Sequence, residues 1–334
     1  MIKDAINLLS SGSDLNASLM SDVMDEIMGN KAKTPDIVDF LKALAKKGET
    51  VEELVAAVRV MRRHANAIKV QDPKLLDTCG TGGDSKGTFN ISTAVAFVAS
   101  AAGISVAKHG NRSVSSLSGS ADVLEALGVN IELKPQKAKE CLEKTGIAFL
   151  FAPSFHPAMK YAMPARKEIG KRTIFNLLGP LSNPANAAHQ LVGVYDKRWV
   201  PVLAEVLLKL GSKHALVVCG SDGLDEISTT ATTYVAEAYQ GKVNAYKLDP
   251  QDFWIKKAKL EELQGADAKK NAEIILDILR GASGACRDIV VLNAAAAIYA
   301  ADAAASIKEG IELARRSIDS KKAMEKLQLL KNFS

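Results

Sequence analysis

A glycine-rich segment, Asp77-Thr78-Cys79-Gly80-Thr81-Gly82-Gly83-Asp84, lies between a short apolar run and a long apolar stretch. Glycines let backbone N–H groups crowd around phosphate oxygens, and a helix that starts just beyond adds the positive end of its dipole. The segment has neither the GxGxxG spacing of a dinucleotide-binding turn nor the GK[ST] ending of a P-loop. It predicts an anion-binding loop of another kind, although taken alone it also fits a plain structural turn.

Two further polar segments follow. Phe89-Asn90-Ile91-Ser92-Thr93 places an amide and two hydroxyls at the start of the next predicted helix, where capping by Ser92 or Thr93 is the ordinary interpretation. Lys108-His109-Gly110-Asn111-Arg112 follows the next predicted strand and leads into a serine-rich loop, residues 113–120. Cations, an imidazole, an amide and hydroxyls at the carboxyl end of a parallel strand suit a multiply charged phosphate ester. A phosphate site is the prediction, with a solvated basic turn as the alternative.

An arginine and an acidic pair complete the candidate residues. Arg166 lies in a predicted helix, where exposure to solvent is the ordinary expectation, but its planar guanidinium could bind a carboxylate through two hydrogen bonds. Asp225 and Glu226 follow Gly223 in a predicted loop, where carboxylate oxygens could approach hydrated magnesium; a solvated acidic turn is the default. The remaining histidines, of which His156 before Pro157 could also line an aromatic site, are interpreted as structural: His64, His156, His189 and His214.

The first seventy residues predict helices only. Thr50 and Glu53 form a capping-box pattern ahead of an apolar face at helical spacing, and Thr34-Pro35 places a proline in the first turn of another helix. We therefore predict a small all-helical domain over residues 1–72. Helices near 160–185 are expected to pack on it.

From residue 73 the pattern changes to short β-rich runs that alternate with helices. This alternation predicts an α/β domain over residues 73–334, with a mainly parallel sheet flanked by helices. Residues 234–248 read as a hairpin around Gln240-Gly241, and the chain after Asp267 returns to helices. Glycines 103, 128 and 211 follow three of the predicted helices, over residues 92–102, 121–127 and 198–210. The predicted strands cover residues 75–77, 104–108, 131–133, 147–151, 191–195 and 214–219.

Composition limits the class of protein. A chain of 334 residues with 47% hydrophobic and 24% charged residues is typical of globular proteins, and a net charge of +5 without a basic block gives no support to nucleic-acid binding. The four cysteines form no CxxC pair, and the first residues lack a signal-peptide pattern, so a reducing cytoplasm is expected. The uncharged run 88–107 contains too many polar residues for a lipid-facing helix, which predicts a buried helix followed by a buried strand.

Taken together, these motifs resemble those of the anthranilate phosphoribosyltransferase family, and the resemblance spans essentially the whole chain. The family implies transfer of the phosphoribosyl group of 5-phosphoribosyl 1-pyrophosphate to the amine of anthranilate, a step of tryptophan biosynthesis. It also implies Mg²⁺, two ions per subunit, and a homodimer formed through the helical domain, with neither nucleic acid nor membrane as a partner. The segments that carry the resemblance are residues 80–84, 90–93, 108–112, 119–122, 155–158, 172–181, 183–184 and 222–226.

The resemblance implies roles residue by residue. The expected catalytic residues are Lys108, His109 and Arg166. Anthranilate is expected to contact Gly80, Asn111 and Arg166, and magnesium to be served by Ser92, Asp225 and Glu226. The implied phosphoribosyl pyrophosphate site comprises Gly80, Gly83, Asp84, Thr88, Asn90, Ile91, Ser92, Thr93, Lys108, His109, Gly110, Asn111, Arg112, Ser113, Val114, Ser115, Ser116 and Ser120.

Two other functions compete with this hypothesis. A pyrimidine nucleoside phosphorylase is similar in fold, but its basic loop carries a lysine, histidine, serine, threonine, glycine pattern, whereas this chain has Lys108-His109-Gly110-Asn111-Arg112. A non-catalytic or nucleic-acid-binding paralogue would have lost arginine or acidic motif positions. Because Arg166, Asp225 and Glu226 are all present, the enzyme is the stronger prediction.

Overall fold

The computed structural model describes residues 1–113 and 117–333, and in them a group of N-terminal helices precedes a seven-stranded sheet with helices on both faces. The α-helices are α1 (Ile2–Ser10), α2 (Ala17–Met28), α3 (Thr34–Lys47), α4 (Val51–Arg63), α5 (Ile91–Ala101), α6 (Ser120–Ala126), α7 (Pro135–Thr145), α8 (Ala152–Phe155), α9 (Met163–Ile169), α10 (Ile174–Leu181), α11 (Trp199–Lys209), α12 (Ala268–Leu279), α13 (Ala285–Ala300), α14 (Ile307–Asp319) and α15 (Lys322–Lys331). The strands are β1 (Leu76–Gly80), β2 (Val106–Gly110), β3 (Ile147–Phe151), β4 (His189–Gly193), β5 (His214–Gly220), β6 (Thr233–Tyr239) and β7 (Lys242–Leu248).

The start of α4 shows how local sequence sets a helix. The Thr50 hydroxyl accepts from the Glu53 N–H at 3.3 Å, and the Glu53 carboxylate accepts from the Thr50 N–H at 2.8 Å, which confirms the predicted capping box. Glu53 is fully buried and also accepts from the Leu15 N–H and from Lys47, so the cap ties α4 to α3 and to the segment before α2. A buried carboxylate is tolerated here because all these donors satisfy it.

The strand order places a crevice at the centre of the sheet. The order is β3-β2-β1-β4-β5-β6-β7. The first five strands are parallel to one another, and β6 is antiparallel to both of its neighbours, β5 and β7. From β1 the chain first builds outward through β2 and β3, and it then returns to the other side of β1 with β4. Ligands in open α/β sheets bind at such a reversal, beyond the carboxyl ends of the strands.

Two apolar cores sandwich the sheet. One face is covered by α5, α6, α7 and α12 to α15, and the other by α1 to α4 together with α9, α10 and α11. On that second face α9 packs against α3, and α10 packs against α4. The outermost strand, β7, is mostly exposed and begins with a lysine, which suits an unpaired edge.

The structure confirms the predicted α/β architecture, the hairpin at residues 233–248 and the glycine ends of the helices, where Gly103, Gly128 and Gly211 have φ values of +94°, +85° and +90°. The predicted strand at 131–133 is wrong. Ile131 and Leu133 are buried in the core, but this segment pairs with no strand and only links α6 to α7. Alternating burial produced the strand-like pattern, while β3 occupies the position beside β2 at that end of the sheet. No helix in the described residues is long and apolar enough to cross a membrane.

Candidate active site

Two glycines end the central strands and let a third segment cross them. Gly80 and Gly193 are register partners at the carboxyl ends of β1 and β4. A Cβ on Gly193 would lie 1.6 Å from the Asp225 carbonyl oxygen, and one on Gly80 would lie 3.1 Å from its Oδ2. Only glycine at position 193 therefore allows the loop after β5 to lie across the crevice. This contact places the predicted metal ligand Asp225 directly at the end of β1.

The glycine-rich loop after β1 has a left-handed backbone at two of its glycines. Gly82 and Gly83 have φ values of +63° and +79°, a region that favours glycine. Arg172 donates to the Gly83 carbonyl oxygen and lies 3.9 Å from the centre of the Tyr195 ring. Asp84 turns back on the loop, since its carboxylate accepts from the Lys86 N–H at 3.0 Å. Arg172, in the segment before α10, therefore links the glycine-rich loop to Tyr195.

The start of α5 presents polar groups to this loop. The Ser92 hydroxyl accepts from Lys108 at 3.1 Å, and the Ser92 carbonyl oxygen accepts from the Thr78 hydroxyl at 3.1 Å. Ile91 and Thr93 are buried, and the Thr93 hydroxyl has no partner among the described residues. Ser92 thus joins the helix start to Lys108 on β2 and to Thr78 on β1, whereas the side chain of Ile91 belongs to the core.

Lys108 is a buried cation at the centre of the site. Its Nζ donates to the Thr78 carbonyl oxygen as well as to Ser92, and the residue is only 4% exposed. Burial lowers the pKa of Lys108, and the carboxylates of Asp77 and Glu226 oppose that shift. Asp77 itself is fully buried, with a pKa raised by burial to about 6. The charge of Lys108, in the middle of β2, is therefore balanced by the carboxylates of Asp77 and Glu226.

Three carboxylates crowd the crevice. Burial raises the pKa of Asp225 to about 7, and the neighbouring Asp84 carboxylate adds to the shift. The pKa of Glu226 is raised by burial and by Asp225, with Lys108 acting in the opposite direction. The Asp225 N–H also points at Asp84 Oδ2, 3.5 Å away. This excess of negative charge favours binding of a cation, because each carboxylate would be stabilised by it.

Two buried imidazoles lie side by side, His109 near the end of β2 and His156 just after α8. His109 Nδ1 lies 3.2 Å from the Gly179 carbonyl oxygen, so Nδ1 carries the hydrogen and Nε2 is an acceptor. The His109 and His156 rings are 5.1 Å apart, and neither Nε2 has a partner among the described residues. Burial lowers the pKa of His109 to about 3 and that of His156 to about 4. Both rings are neutral at physiological pH and can accept a hydrogen bond.

The basic loop after β2 is only partly described. The Asp122 carboxylate accepts from the Ser113 and Gly119 N–H groups at 3.0 and 2.8 Å, which closes the loop at its base. The predicted phosphate residues Val114, Ser115 and Ser116 lie outside the described residues. Asn111 is exposed at the strand end, and its carbonyl oxygen accepts from the Ser120 hydroxyl at 3.3 Å. Gly110 ends β2, where a Cβ would lie 2.2 Å from Ser120 Oγ.

Arg112 does not face the carboxylates of the crevice. Its guanidinium contacts Asp122 at 2.9 Å and both oxygens of Glu125, and these hydrogen bonds raise its pKa. The side chain is well exposed and packs 5.9 Å from the Phe151 ring. Arg112 is therefore engaged with α6 in this structure.

Arg166 occupies an unusual environment for a helix arginine. It is half-buried on α9, lies over the Phe175 ring at 5.5 Å and donates to the Met163 sulfur at 3.8 Å. Burial lowers its pKa, and no carboxylate pairs with it among the described residues. Phe175 lies on α10, one turn before the Gly179 carbonyl that contacts His109. The ordinary expectation of a solvated arginine does not describe this side chain.

Several residues of the site were missed by sequence reasoning. Arg172 stood only within a motif of the resemblance, and its contact with Gly83 had no signal in spacing. Thr78 and Asp77, which contact Lys108 and the His109 N–H, were assigned to the loop without a role. Asp77 could have been singled out, because an acidic residue inside an apolar strand requires a buried partner.

The sequence matches two family profiles. The helical bundle domain of a glycosyl transferase family matches residues 3–65, and the a/b domain of a glycosyl transferase family matches residues 72–324. Curated relatives carry the name anthranilate phosphoribosyltransferase. The protein from Alkaliphilus metalliredigens is 52% identical, covering 99% of this chain and 98% of its own length; that from a Thermoanaerobacter species is 53% identical, covering 98% and 97%.

Solved structures that are similar to this chain carry the same name as the curated relatives. The chain is similar to anthranilate phosphoribosyltransferase from Thermus thermophilus, with a TM-score of 0.94, 42% identity and 99% of both chains covered. It is also similar to the Saccharomyces cerevisiae enzyme in complex with PRPP and Mg, with a TM-score of 0.89, 28% identity and coverage of 98% and 96%. The complex of the yeast enzyme with 4-fluoroanthranilate gives a TM-score of 0.88 at 27% identity, with coverage of 98% and 96%.

Proposed function

The chain belongs to the glycosyl transferase family of the anthranilate phosphoribosyltransferases, and on that premise we propose that it transfers the phosphoribosyl group of phosphoribosyl pyrophosphate to anthranilate. The products are N-(5-phosphoribosyl)anthranilate and pyrophosphate, and the reaction is a step of tryptophan biosynthesis. The observation that carries the proposal is the convergence at the ends of β1, β2 and β4. A glycine loop, a buried lysine and an acidic pair meet there, together with His109 of β2, whose ring lies 5.1 Å from that of His156.

The phosphate side of the site is the glycine loop with the start of α5 and the basic loop. Backbone N–H groups in the left-handed stretch at Gly82 and Gly83 can converge on an anion, and α5 directs its positive end to the same place. We assign the pyrophosphate to this loop and the remaining phosphate to the loop after β2. The proposed ligands are those the family resemblance implies, from Gly80 to Thr93 and from Lys108 to Ser120.

Magnesium fits the acidic groups that stand beside this loop. The described residues contain no group of three carboxylate, cysteine or histidine side chains positioned to hold a metal by themselves. Magnesium usually keeps several waters and binds through one or two carboxylates together with substrate phosphates. The buried, mutually repelling carboxylates of Asp225 and Glu226 would gain a counter-charge from such an ion. We propose Asp225, Glu226 and the Ser92 hydroxyl as the protein's contribution, with two ions per subunit. When bound, the metal would neutralise charge that develops on the leaving pyrophosphate.

The acceptor side of the site is formed by Arg166, His109 and His156. A half-buried guanidinium without a carboxylate partner among the described residues suits the carboxylate of anthranilate, and the His109 Nε2 acceptor suits an amine hydrogen. We propose that Asn111 and the Gly80 backbone border the same substrate. In this arrangement the aromatic acid would satisfy polar groups that the protein itself leaves unpaired.

The reaction needs no covalent intermediate. The amine nitrogen of anthranilate attacks C1 of the ribose, the C1–O bond breaks so that pyrophosphate leaves with the bonding electrons, and the amine loses one proton to solvent water. An aniline-type amine is a modest nucleophile, so stabilisation of the departing pyrophosphate by Lys108 and the loop N–H groups must supply much of the rate. With a pKa of about 3, His109 is a weak base, and it acts by orienting the amine through a hydrogen bond to Nε2.

A fluorescence assay tests this function. We expect anthranilate fluorescence to fall when the protein, phosphoribosyl pyrophosphate and Mg²⁺ are all present, and to stay constant when any one is omitted. Phosphorolysis of uridine or thymidine without anthranilate turnover would instead assign the chain to the pyrimidine nucleoside phosphorylases. Absence of both reactions, with tight binding of a nucleic acid, would support the non-catalytic alternative.

We also propose the division into a helical domain, residues 1–72, and an α/β domain, residues 73–334, with a cytoplasmic homodimer formed through the helical domain. Exposed apolar side chains on the first helix, Leu8 and the preceding Met1, support an interface there. Light scattering at micromolar concentration should give twice the chain mass. A monomer at that concentration would contradict the dimer.

A further inference from the structure

A segment from the C-terminal half of the chain runs alongside the phosphate loop. The Phe89 N–H donates to the Leu263 carbonyl at 3.2 Å, and the Gly265 N–H donates to the Gly87 carbonyl at 2.8 Å. Thr88 and Gln264 form an antiparallel bridge between these two hydrogen bonds. We call residues 259–267 the strap. It reaches the loop from a distant part of the sequence and then leads directly into α12.

Asn271, in the first turns of α12, joins the strap to the start of α5. It is 2% exposed, its Oδ1 accepts from the Ala266 N–H at 2.8 Å, and its Nδ2 donates to Asn90 Oδ1 at 2.9 Å. The approach is close, since a Cβ on Gly265 would lie 2.6 Å from Asn271 Oδ1. A backbone N–H can only donate, so the Ala266 contact fixes which way the Asn271 amide points.

The hydrogen bond from Asn271 also fixes the orientation of the Asn90 amide. Because Asn271 offers Asn90 a donor, the atom of Asn90 that faces it must be the oxygen. The Asn90 Nδ2 then donates to the Ser118 carbonyl at 3.0 Å, at the end of the basic loop. One of its two hydrogens is used there, and the other has no acceptor among the described residues. Asn90 is therefore held with one N–H available beside both phosphate loops.

We propose that Asn271 is a positioning residue for phosphoribosyl pyrophosphate: it sets the orientation of the Asn90 amide, so that Asn90 presents an N–H donor rather than a carbonyl oxygen to the anionic substrate. The wrong orientation would place an oxygen against phosphate and lose the bond to Ser118. This inference rests on the proposed function, because it requires that the loops bind the pyrophosphate donor.

The substitution Asn271→Asp tests the orientation directly. The new side chain keeps an oxygen for the Ala266 N–H but places its second oxygen against Asn90 Oδ1, which favours the wrong orientation of Asn90. We expect the Kd and KM for phosphoribosyl pyrophosphate with Mg²⁺ to rise by about tenfold or more, as for loss of a hydrogen bond to a charged group. The KM for anthranilate should change by less than about twofold.

A double-mutant cycle separates positioning from a merely structural role. Asn271→Ala should weaken binding of the donor substrate in the wild-type background and have no further effect in Asn90→Ala, because it acts through Asn90. Ser100→Ala is the matched control, since it removes another buried hydrogen bond of α5, from Ser100 Oγ to the Gly146 carbonyl at 2.9 Å, near the opposite end of the helix. It should lower the melting temperature without changing the Kd.

The outcomes distinguish this inference from the proposed function. If calorimetry on the wild-type protein detects no binding of phosphoribosyl pyrophosphate with Mg²⁺, the proposed function fails. If the wild type binds and folded Asn271→Asp binds equally well, or Asn271→Ala is equally damaging with and without Asn90, the positioning role is wrong. A selective rise in Kd that vanishes in the Asn90→Ala background supports it.

Discussion

Several polar side chains of the site are buried or half-buried but lack the hydrogen-bond or ion-pair partners that burial normally requires. The Arg166 guanidinium packs on Phe175 with no carboxylate, and the Nε2 atoms of His109 and His156 accept nothing among the described residues. Buried polar groups are usually paired, because an unpaired one costs about 1 to 3 kcal/mol. A bound substrate that supplies the missing carboxylate and N–H groups would remove this cost. We propose that substrate binding uses these groups, which the described residues leave unpaired.

Arg166 should affect one substrate only. We expect Arg166→Ala to lower kcat/KM for anthranilate by about ten- to more than a hundredfold, because a charge-assisted bond to the carboxylate is lost, while the Kd for phosphoribosyl pyrophosphate barely changes. Arg166→Lys should recover little, since an ammonium cannot form two parallel bonds. Steady-state kinetics in anthranilate and direct binding of the cosubstrate provide the measurement.

Lys167→Ala, on an exposed neighbour in the same helix, is the control and should behave as the wild type. Wild-type kinetics in both Arg166 variants would mean that Arg166 is an ordinary helix residue. Equal losses for both substrates would instead assign it to holding α9 and α10 in place.

The acidic pair should set the magnesium requirement. Asp225→Asn combined with Glu226→Gln keeps side-chain size and removes two charges from the crevice, so activity should fall strongly and more Mg²⁺ should be needed for half-maximal rate. The control is Glu273→Gln with Asp277→Asn, two exposed carboxylates of α12. A magnesium titration of both variants decides the assignment, and wild-type magnesium dependence in the first would falsify it.

At the scale of elements, the site depends on loops whose backbone only certain residues allow. Much of this loop structure could be predicted from the sequence, because Gly80, Gly82, Gly83 and the glycines at the helix ends are local signals. The cap of α4 and the hairpin at Gln240-Gly241 are local in the same way. The contacts of Arg172 and Asn271 could not be predicted, since they join segments about 90 and 180 residues apart and leave no pattern in spacing. Ile131 and Leu133 led to the opposite error. Their alternating pattern predicted a strand, but it reflects burial in the core, and the segment pairs with no strand.

The glycine loop gives a prediction at this scale. Gly83→Val should abolish binding of phosphoribosyl pyrophosphate, because φ is +79° and a Cβ would approach the Arg172 guanidinium to 3.4 Å. The fold should survive, since the loop lies outside both cores. Calorimetry on the folded variant is the measurement, with circular dichroism to verify folding. Unchanged affinity would mean that the loop is only a turn.

At the scale of the whole molecule, buried polar groups also join distant parts of the sheet and its helices away from the site. His214 on β5 contacts Glu237 on β6 at 2.8 Å and Asp302, just after α13, at 2.8 Å. Burial lowers the pKa of His214, but its hydrogen bonds to these two carboxylates outweigh that effect and raise it overall. Only the protonated ring can donate to both acceptors at once. The packing of α13 on the sheet is therefore linked to pH.

The sign of this linkage can be tested. A raised folded-state pKa stabilises the protein fully below the unfolded value near 6.5, and the stabilisation is lost as pH rises through the raised value. Asp302→Asn should therefore lower the free energy of unfolding by about 1 kcal/mol at pH 5.5 and by less at pH 9. Asp196→Asn, which removes an exposed carboxylate paired with Arg198, should show no such dependence. Urea unfolding at both pH values is the measurement. A larger loss of unfolding free energy at pH 9 than at pH 5.5 would show that this linkage is wrong.

The proposed function requires that one crevice joins the ribose of phosphoribosyl pyrophosphate to the amine of anthranilate. Single-turnover product analysis with excess protein and Mg²⁺ tests it most directly, with products identified by mass spectrometry and pyrophosphate quantified in parallel. We predict one N-(5-phosphoribosyl)anthranilate and one pyrophosphate for each anthranilate consumed. Pyrophosphate released with anthranilate left unchanged, or ribose transferred to or from a pyrimidine base instead, would contradict the claim.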